Sequence, residues 1–266
     1  MSKTVKTRPI EIAAGFGYQE KKAVEGSDQV CRTAFTERWS RGGTMVKAII
    51  FDMDGVIIDS EPMHLNLERE IFRRLGFAIS DEDHWSYIGT TSYFMWDDLR
   101  NKFALPDAVE ALVANERNEY TQYLLSTEEF APIDGLRDLL AMLKRNQFRL
   151  AIASSSPLNI IEIVVDRLAI GRYFDVLVSG DQVQRSKPEP DIFLYAAQQM
   201  GVQPKNCLVI EDSANGIAAA LKANMKSIGF SNPSSGKQDL SQADFVVGCL
   251  ADITMDMLSS LPGECI

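Results

Sequence analysis

Four cysteines in 266 residues, Cys31, Cys207, Cys249 and Cys265, stand far apart, with no spacing that would hold a metal or frame a set of disulfides. A reducing compartment, the cytoplasm, is therefore the expected location. Cys207 opens an apolar run and reads as a core residue. Net positive charge is also missing: 27 Lys and Arg against 37 Asp and Glu leave −10. Such a chain gains nothing from counterion release, which argues against nucleic acid as a partner. A phosphate-bearing substrate must then be held by local charge rather than by the overall field. No apolar run is long enough to span a bilayer, so no membrane partner is expected. Repeats and low-complexity tracts are absent. What remains is a globular chain, 45% hydrophobic, with material for one to two domains.

Residues 1–44 lack any sustained apolar periodicity and hold eight Lys or Arg beside five Asp or Glu. They contain no apolar h-region, and their acids argue against a transit peptide. The globular sequence begins at Met45-Val46-Lys47. The expectation is that Met45 is the biological start and that 1–44 is a disordered or non-native extension. A disordered regulatory arm is the competing reading.

From Met45 onward, apolar strands alternate with amphipathic helices, the pattern of an α/β parallel sheet. Strands are predicted at 47–51, 148–153, 174–179, 207–211, 226–230 and 244–247. Ser156-Pro157, Pro190 and Ser213 read as helix openings, and Gly201 as a stop. One stretch breaks the alternation. Between Pro62 and Pro132 the chain reads as successive helices. The first carries Met63, Leu67, Ile71 and Leu75 as an apolar stripe closed by Gly76; others follow Ser92 and Pro106. This gives an α/β Rossmann-like core over 45–61 and 133–266, with an all-helical cap, 62–132, inserted over the strand ends.

Chemistry concentrates where those strands finish. Ala48-Ile49-Ile50-Phe51 delivers Asp52 and Asp54 into a turn opened by Gly55. Residues two apart on an extended backbone point the same way, so the two carboxylates repel unless a cation or a shared proton relieves them. A hard divalent ion such as Mg²⁺ supplies that relief. The strand at 148–153 ends at Ser154, whose hydroxyl suits a phosphate oxygen or, as the plainer reading, a helix N-cap; Ser156 before Pro157 fits the cap better. Lys187 lies in Ser186-Lys187-Pro188-Glu189-Pro190-Asp191, where two prolines stiffen the segment and aim the ammonium. A surface lysine is the alternative. Glu211-Asp212 ends the run Cys207-Leu208-Val209-Ile210 beside a helix start, where carboxylates are also favoured by the helix dipole alone.

Asp52-Met53-Asp54-Gly55-Val56, Ser154, Lys187-Pro188-Glu189-Pro190-Asp191 and Glu211-Asp212-Ser213-Ala214-Asn215-Gly216 together resemble the haloacid dehalogenase superfamily. The likeness is closest to its β-phosphoglucomutases and small sugar phosphatases with a helical cap. It covers Met45 to about Phe230. The resemblance implies that Asp52 is a nucleophile forming an aspartyl phosphate and that Asp54 is the general acid and then base. It implies Mg²⁺ on Asp52, the main-chain carbonyl of Asp54 and Asp212, with Glu211 in or near the shell. Ser154 and Lys187 would grip the phosphoryl oxygens. Asp54 suits acid work if its pKa is raised, and the neighbouring carboxylates are expected to push it up.

The cap loop Tyr87-Ile88-Gly89-Thr90-Thr91-Ser92-Tyr93-Phe94 contains no Lys or Arg, whereas the mutases of this branch use basic cap residues to hold a second phosphate. A Mg-dependent phosphatase acting on small phosphorylated metabolites, sugar phosphates above all, is therefore the expected function. Arg100 and Lys102 keep a β-phosphoglucomutase-like mutase open, and a non-catalytic phosphate-binding module is a further alternative. Thr90 and Thr91 are expected to touch substrate; the plainer reading of Gly89-Thr90 is a helix cap. His64 reads as a solvated helix residue rather than a cleft residue. Trp85, Tyr87, Tyr93, Phe94 and Trp96 read as the cap's own core. The run 231–236 reads as a flexible loop. Nothing in the chain speaks to assembly, and a monomer is the expectation.

Overall fold

The computed structural model describes residues 46–128 and 130–261. The expectations for 1–44 and for Met45 lie outside these residues.

All six predicted strands form, and they join one parallel sheet. They are β1 (Ala48–Phe51), β2 (Arg149–Ser154), β3 (Val176–Ser179), β4 (Cys207–Glu211), β5 (Lys226–Phe230) and β6 (Phe245–Val247). Their order in space is β3-β2-β1-β4-β5-β6. β3 starts two residues later than expected. A 3₁₀ turn at Gly171–Tyr173 precedes it, and the Asp175 carboxylate, not a ladder carbonyl, accepts the Leu150 N–H at 2.8 Å.

Parallel strands covered on both faces need apolar residues at every position. Alternation then sorts them into two layers. Ile49, Phe51, Leu150, Ile152, Leu208 and Ile210 face one way, packed on α5 (Leu136–Arg145) and α6 (Leu158–Arg167). Ala48, Ile50, Ala151, Ala153 and Val209 face the other, against α7 (Asp191–Met200) and α8 (Ala214–Lys222). The second layer is rich in alanine, which lets those two helices approach closely. Gly201 ends α7 at φ +64, as its position after Met200 foretells.

Between β1 and β2 the described residues hold four helices before α5: α1 (Glu61–Leu75), α2 (Asp81–Trp85), α3 (Ser92–Phe103) and α4 (Val109–Ser126). Ile71, Phe72, Met95, Trp96, Leu99, Leu112 and Val113 make a third apolar cluster, separate from the two sheet layers. The aromatics therefore divide. Trp96 is fully buried in this cluster, while Tyr93 and Phe94 are exposed. The short helix α2 was not legible in the sequence. It starts at Ser80, whose hydroxyl accepts the Asp83 N–H at 3.1 Å.

Two helix readings need correction. α6 opens after Pro157 with no side-chain cap, so Ser156 is not its N-cap. The buried face of α1 is not simply the stripe of Met63, Leu67 and Ile71, because it also buries Glu61 and Glu68.

Ile152, fully buried on β2, tests this core. Ile152→Ala is expected to lower unfolding free energy by about 2–5 kcal/mol at unchanged m-value in urea titration.

Candidate active site

In the order β3-β2-β1-β4-β5-β6 the chain reverses its direction of travel between β1 and β4, and ligands of open α/β sheets bind beyond the strand ends at that switch point. Phe51 pairs with Ile210, so Asp52 and Glu211 leave the sheet side by side. Asp52 is 3% exposed, Glu211 and Asp212 no more than 1%. Lys187, 1% exposed, enters between two of them. Its Nζ donates to Asp52 Oδ1 at 2.8 Å and to Glu211 Oε1 at 2.6 Å. The anchored-cation reading of this lysine therefore holds over the surface one. Glu211 is fixed in turn: its Oε2 accepts from Ser213 N at 2.7 Å and from Ser213 Oγ at 2.9 Å, while Ser213 Oγ also caps α8.

Gly55 makes the turn after Asp54 possible. Its φ is +77, and a Cβ there would fall 1.9 Å from Asp212 Oδ2, so backbone and carboxylate share space that only glycine leaves open. The other Asp212 oxygen, Oδ1, is buried without a hydrogen-bond partner among the described residues. Asp52, Glu211 and Asp212 each bring an oxygen within 4.8 Å of the others. An orphaned buried carboxylate oxygen beside two more carboxylates is expensive unless a cation meets it. Hard oxygen donors in this number suit Mg²⁺ or a similar ion, so these residues fit a divalent cation.

Asp54 stands differently. Ser60 Oγ donates to its Oδ1 at 2.6 Å, and Ser156 and Ser154 donate to Oδ2 at 3.0 and 3.2 Å. His64 Nε2 lies 3.6 Å from Oδ1. Burial pushes the Asp54 carboxyl up, but His64 and the hydroxyls outweigh it and hold it below its ordinary value. This corrects the expectation of a raised pKa: donors, not carboxylates, surround this side chain. His64 itself is pushed up to about 9, its burial overcome by Asp54 and by Glu68 and Glu61 behind it. The solvated-helix reading of His64 is wrong; its ring lies tilted against that of Tyr120, centroids 3.9 Å apart. Asp52 goes the other way, raised to about 7 by burial, with Glu211 and Asp54 adding to it and Lys187 opposing. Burial likewise raises Asp212, helped by Glu211.

A cleft opens beside Asp52 and Asp54. Thr90 and Thr91 both line it. Their hydroxyls are engaged: Thr90 Oγ1 donates to Tyr87 O at 2.6 Å, and Thr91 Oγ1 accepts the Phe94 N–H as the cap of α3. Glu61, His64, Glu68, His84 and Glu116 line the cleft as well. None was anticipated as a site residue. Glu61, His64 and Glu68 do follow a spacing of three and four residues, which puts them on one face of α1. Arg100 and Lys102 stay away, paired with Asp107 O and Asp83. The 231–236 run is not loose. Asn232 donates to Gly55 O at 3.0 Å, and Ser235 Oγ donates to Asp212 Oδ2.

The helices contact the sheet ends directly. Ser155 Oγ donates to Gly89 O at 2.8 Å, Asn215 to Ser86 O and Ile88 O, and Arg117 pairs bidentately with Asp181.

A family model described as haloacid dehalogenase-like hydrolase matches residues 46–224. The chain belongs to that family. Hexitol phosphatase B of Escherichia coli is 32% identical over 226 residues, 82% of this chain and 96% of its own. A phosphorylated carbohydrates phosphatase of Thermotoga maritima is 31% identical over 183 residues, 69% of this chain and 84% of its own. Among solved structures, a β-phosphoglucomutase of Clostridium difficile superposes with a TM-score of 0.70 at 29% identity, over 80% of this chain and 96% of its own. The sugar-phosphatase branch is thus the part of the family this chain resembles. No helix among the described residues is long and apolar enough to cross a membrane.

The raised Asp52 and Asp212 carboxyls set a pH dependence. A carboxyl bound more tightly to its proton when folded stabilises below its ordinary pKa of 3.8, and that contribution fades as pH rises toward about 7. A divalent cation at these carboxylates would reverse the loss by binding the ionised form. Thermal melts with EDTA or MgCl₂ should therefore show a larger cation-induced rise in Tm at about pH 8 than at about pH 5. An equal rise at both would contradict this reading.

Proposed function

We propose that the chain is a Mg²⁺-dependent phosphatase of small phosphate monoesters, sugar phosphates among them, working through an aspartyl phosphate on Asp52. The observation that carries it is the buried Asp52–Lys187–Glu211 array at the sheet's switch point, with the orphaned Asp212 oxygen beside it.

A carboxylate approaching a phosphate dianion meets strong repulsion, so the chemistry is mostly neutralisation and positioning. Asp52, the Asp54 main-chain carbonyl and Asp212 would hold the cation, which when bound offsets charge on both nucleophile and phosphate. Glu211 aims Lys187, which its Oε1 accepts from, and stands in or near the cation's shell. Lys187 and Ser154 hold oxygens of the transferring group. Asp52 attacks phosphorus in line, and the ester oxygen leaves with a proton from Asp54. Asp54 then takes a proton from the water that attacks the aspartyl phosphate, which returns Asp52 as a carboxylate. Because Asp54 is held low before substrate binds, its proton must be acquired as the site fills; His64, 3.6 Å away, stands beside the carboxylate that carries it. The helical insertion at 62–132 serves as the cap that closes over the reacting groups and excludes water.

Charge separates this reading from a phosphomutase. A bisphosphate needs a cation for its second phosphate, and no lysine or arginine lines the cleft among the described residues. A silent phosphate-binding module has no need of Asp52, Asp54, Lys187 and Asp212 together.

Release of inorganic phosphate from hexose, pentose and polyol phosphates is expected with Mg²⁺ and not with EDTA. Asp52→Asn should cut it by at least ~10³-fold while the circular-dichroism melt stays cooperative. Substantial activity in that variant would remove Asp52 from the nucleophile's role.

A further inference from the structure

The cleft wall that runs from Asp54 toward the helical insertion is rich in carboxylates. His64, Glu68 and Glu116 bring one nitrogen or oxygen each within 4.8 Å of one another, and Glu61 lines the same cleft. Glu116 is 3% exposed and already accepts from Trp96 Nε1 at 2.6 Å and Ser92 Oγ at 2.9 Å, one donor on each oxygen. A carboxylate oxygen has two lone pairs, so each keeps one to offer. Glu68 pairs with Nε2 of His84. His84 is 2% exposed and lines the cleft, and its Nδ1 has no hydrogen-bond partner among the described residues.

Three glutamates and Asp54 thus face two imidazoles, and the wall holds no lysine or arginine. Such a surface repels an anion, accepts hydrogen bonds readily, and gains most from a ligand that brings both donors and positive charge. We propose that this wall is a subsite for an ammonium group on the alcohol side of the phosphate ester, held by Glu68 and Glu116. The preferred substrate is then a zwitterion: phosphate at the Asp52 end, a primary amine at the cap end, as in an amino-sugar or amino-polyol phosphate. A hydroxyl in the same place fills the acceptors but leaves the charge unbalanced. The inference rests on the reading of the chain as a phosphate-ester hydrolase and narrows its substrate.

The test uses paired esters that differ only by amine or hydroxyl, glucosamine 6-phosphate with glucose 6-phosphate and 1-amino-1-deoxyglucitol 6-phosphate with glucitol 6-phosphate. Calorimetric titration into Asp52→Asn protein with Mg²⁺ reads affinity without turnover. The amine of each pair should bind roughly tenfold tighter, the size of one charge-assisted hydrogen bond. Glu116→Gln or Glu68→Gln in the same background should shrink that ratio toward one. Equal affinities within both pairs, or tighter binding of the hydroxy esters, would overturn the subsite. So would a MnCl₂ titration, without any ester, that locates a Glu116-dependent metal site while the amine preference is missing. Phosphate release by the wild-type protein is scored separately: its absence for every ester counts against the phosphatase, and equal affinities beside normal release count against the ammonium subsite alone.

Discussion

Lys187 carries its charge 1% exposed, between the carboxylates of Asp52 and Glu211. Burying an ion costs several kcal/mol even after relaxation, and only close, hydrogen-bonded partners of opposite sign offset it. Burial works against the ammonium, yet the two carboxylates outweigh it and hold its pKa above the ordinary value. The rest of the site is arranged around that contact. The parallel register brings Asp52 level with Glu211, Ser213 pins the far side of Glu211, and Gly55 lets the first turn pass against Asp212. One lysine for three buried carboxylates still leaves negative charge in excess. Burial is the main reason Asp52 and Asp212 rise, the neighbouring carboxylates add to it, and a divalent cation would relieve both.

A division of labour follows between the two aspartates of the first turn. Asp52, among carboxylates and in apolar surroundings, is raised; Asp54, two residues on, meets serine hydroxyls and an imidazole and is lowered. Environment, not residue type, separates the two groups, and the proposed nucleophile and proton carrier occupy those two environments. The nucleophile gains its charge from Lys187 and a cation; the proton carrier works beside His64.

Much of this was legible in the sequence for a physical reason. Buried parallel strands need unbroken apolar runs, so Ala48–Phe51 and Cys207–Glu211 announce themselves, and so does the polar group at the end of each. Asp52, Lys187, Glu211 and Asp212 converge as that pattern implies. What stayed hidden depends on approaches between distant segments. Ser156 reads locally as a helix cap, yet it reaches Asp54 across 102 positions. Ser235 sits in a run that looks loose, yet bonds Asp212. On α1, the series Met63, Leu67 and Ile71 masks a second series, Glu61, His64 and Glu68, on the face toward the cleft. Helical periodicity says which residues share a face. It does not say what that face meets.

With Asp52 as nucleophile, phosphate passes through a covalent bond to its carboxylate. Mixing excess enzyme with a phosphate ester and Mg²⁺, quenching in acid within milliseconds and mapping peptides by mass spectrometry tests it directly. The proposed mechanism requires a transient gain of one phosphoryl group on the peptide containing Asp52, lost again as inorganic phosphate appears. Phosphate release with no labelled peptide at any time, or a label on another residue, would contradict it.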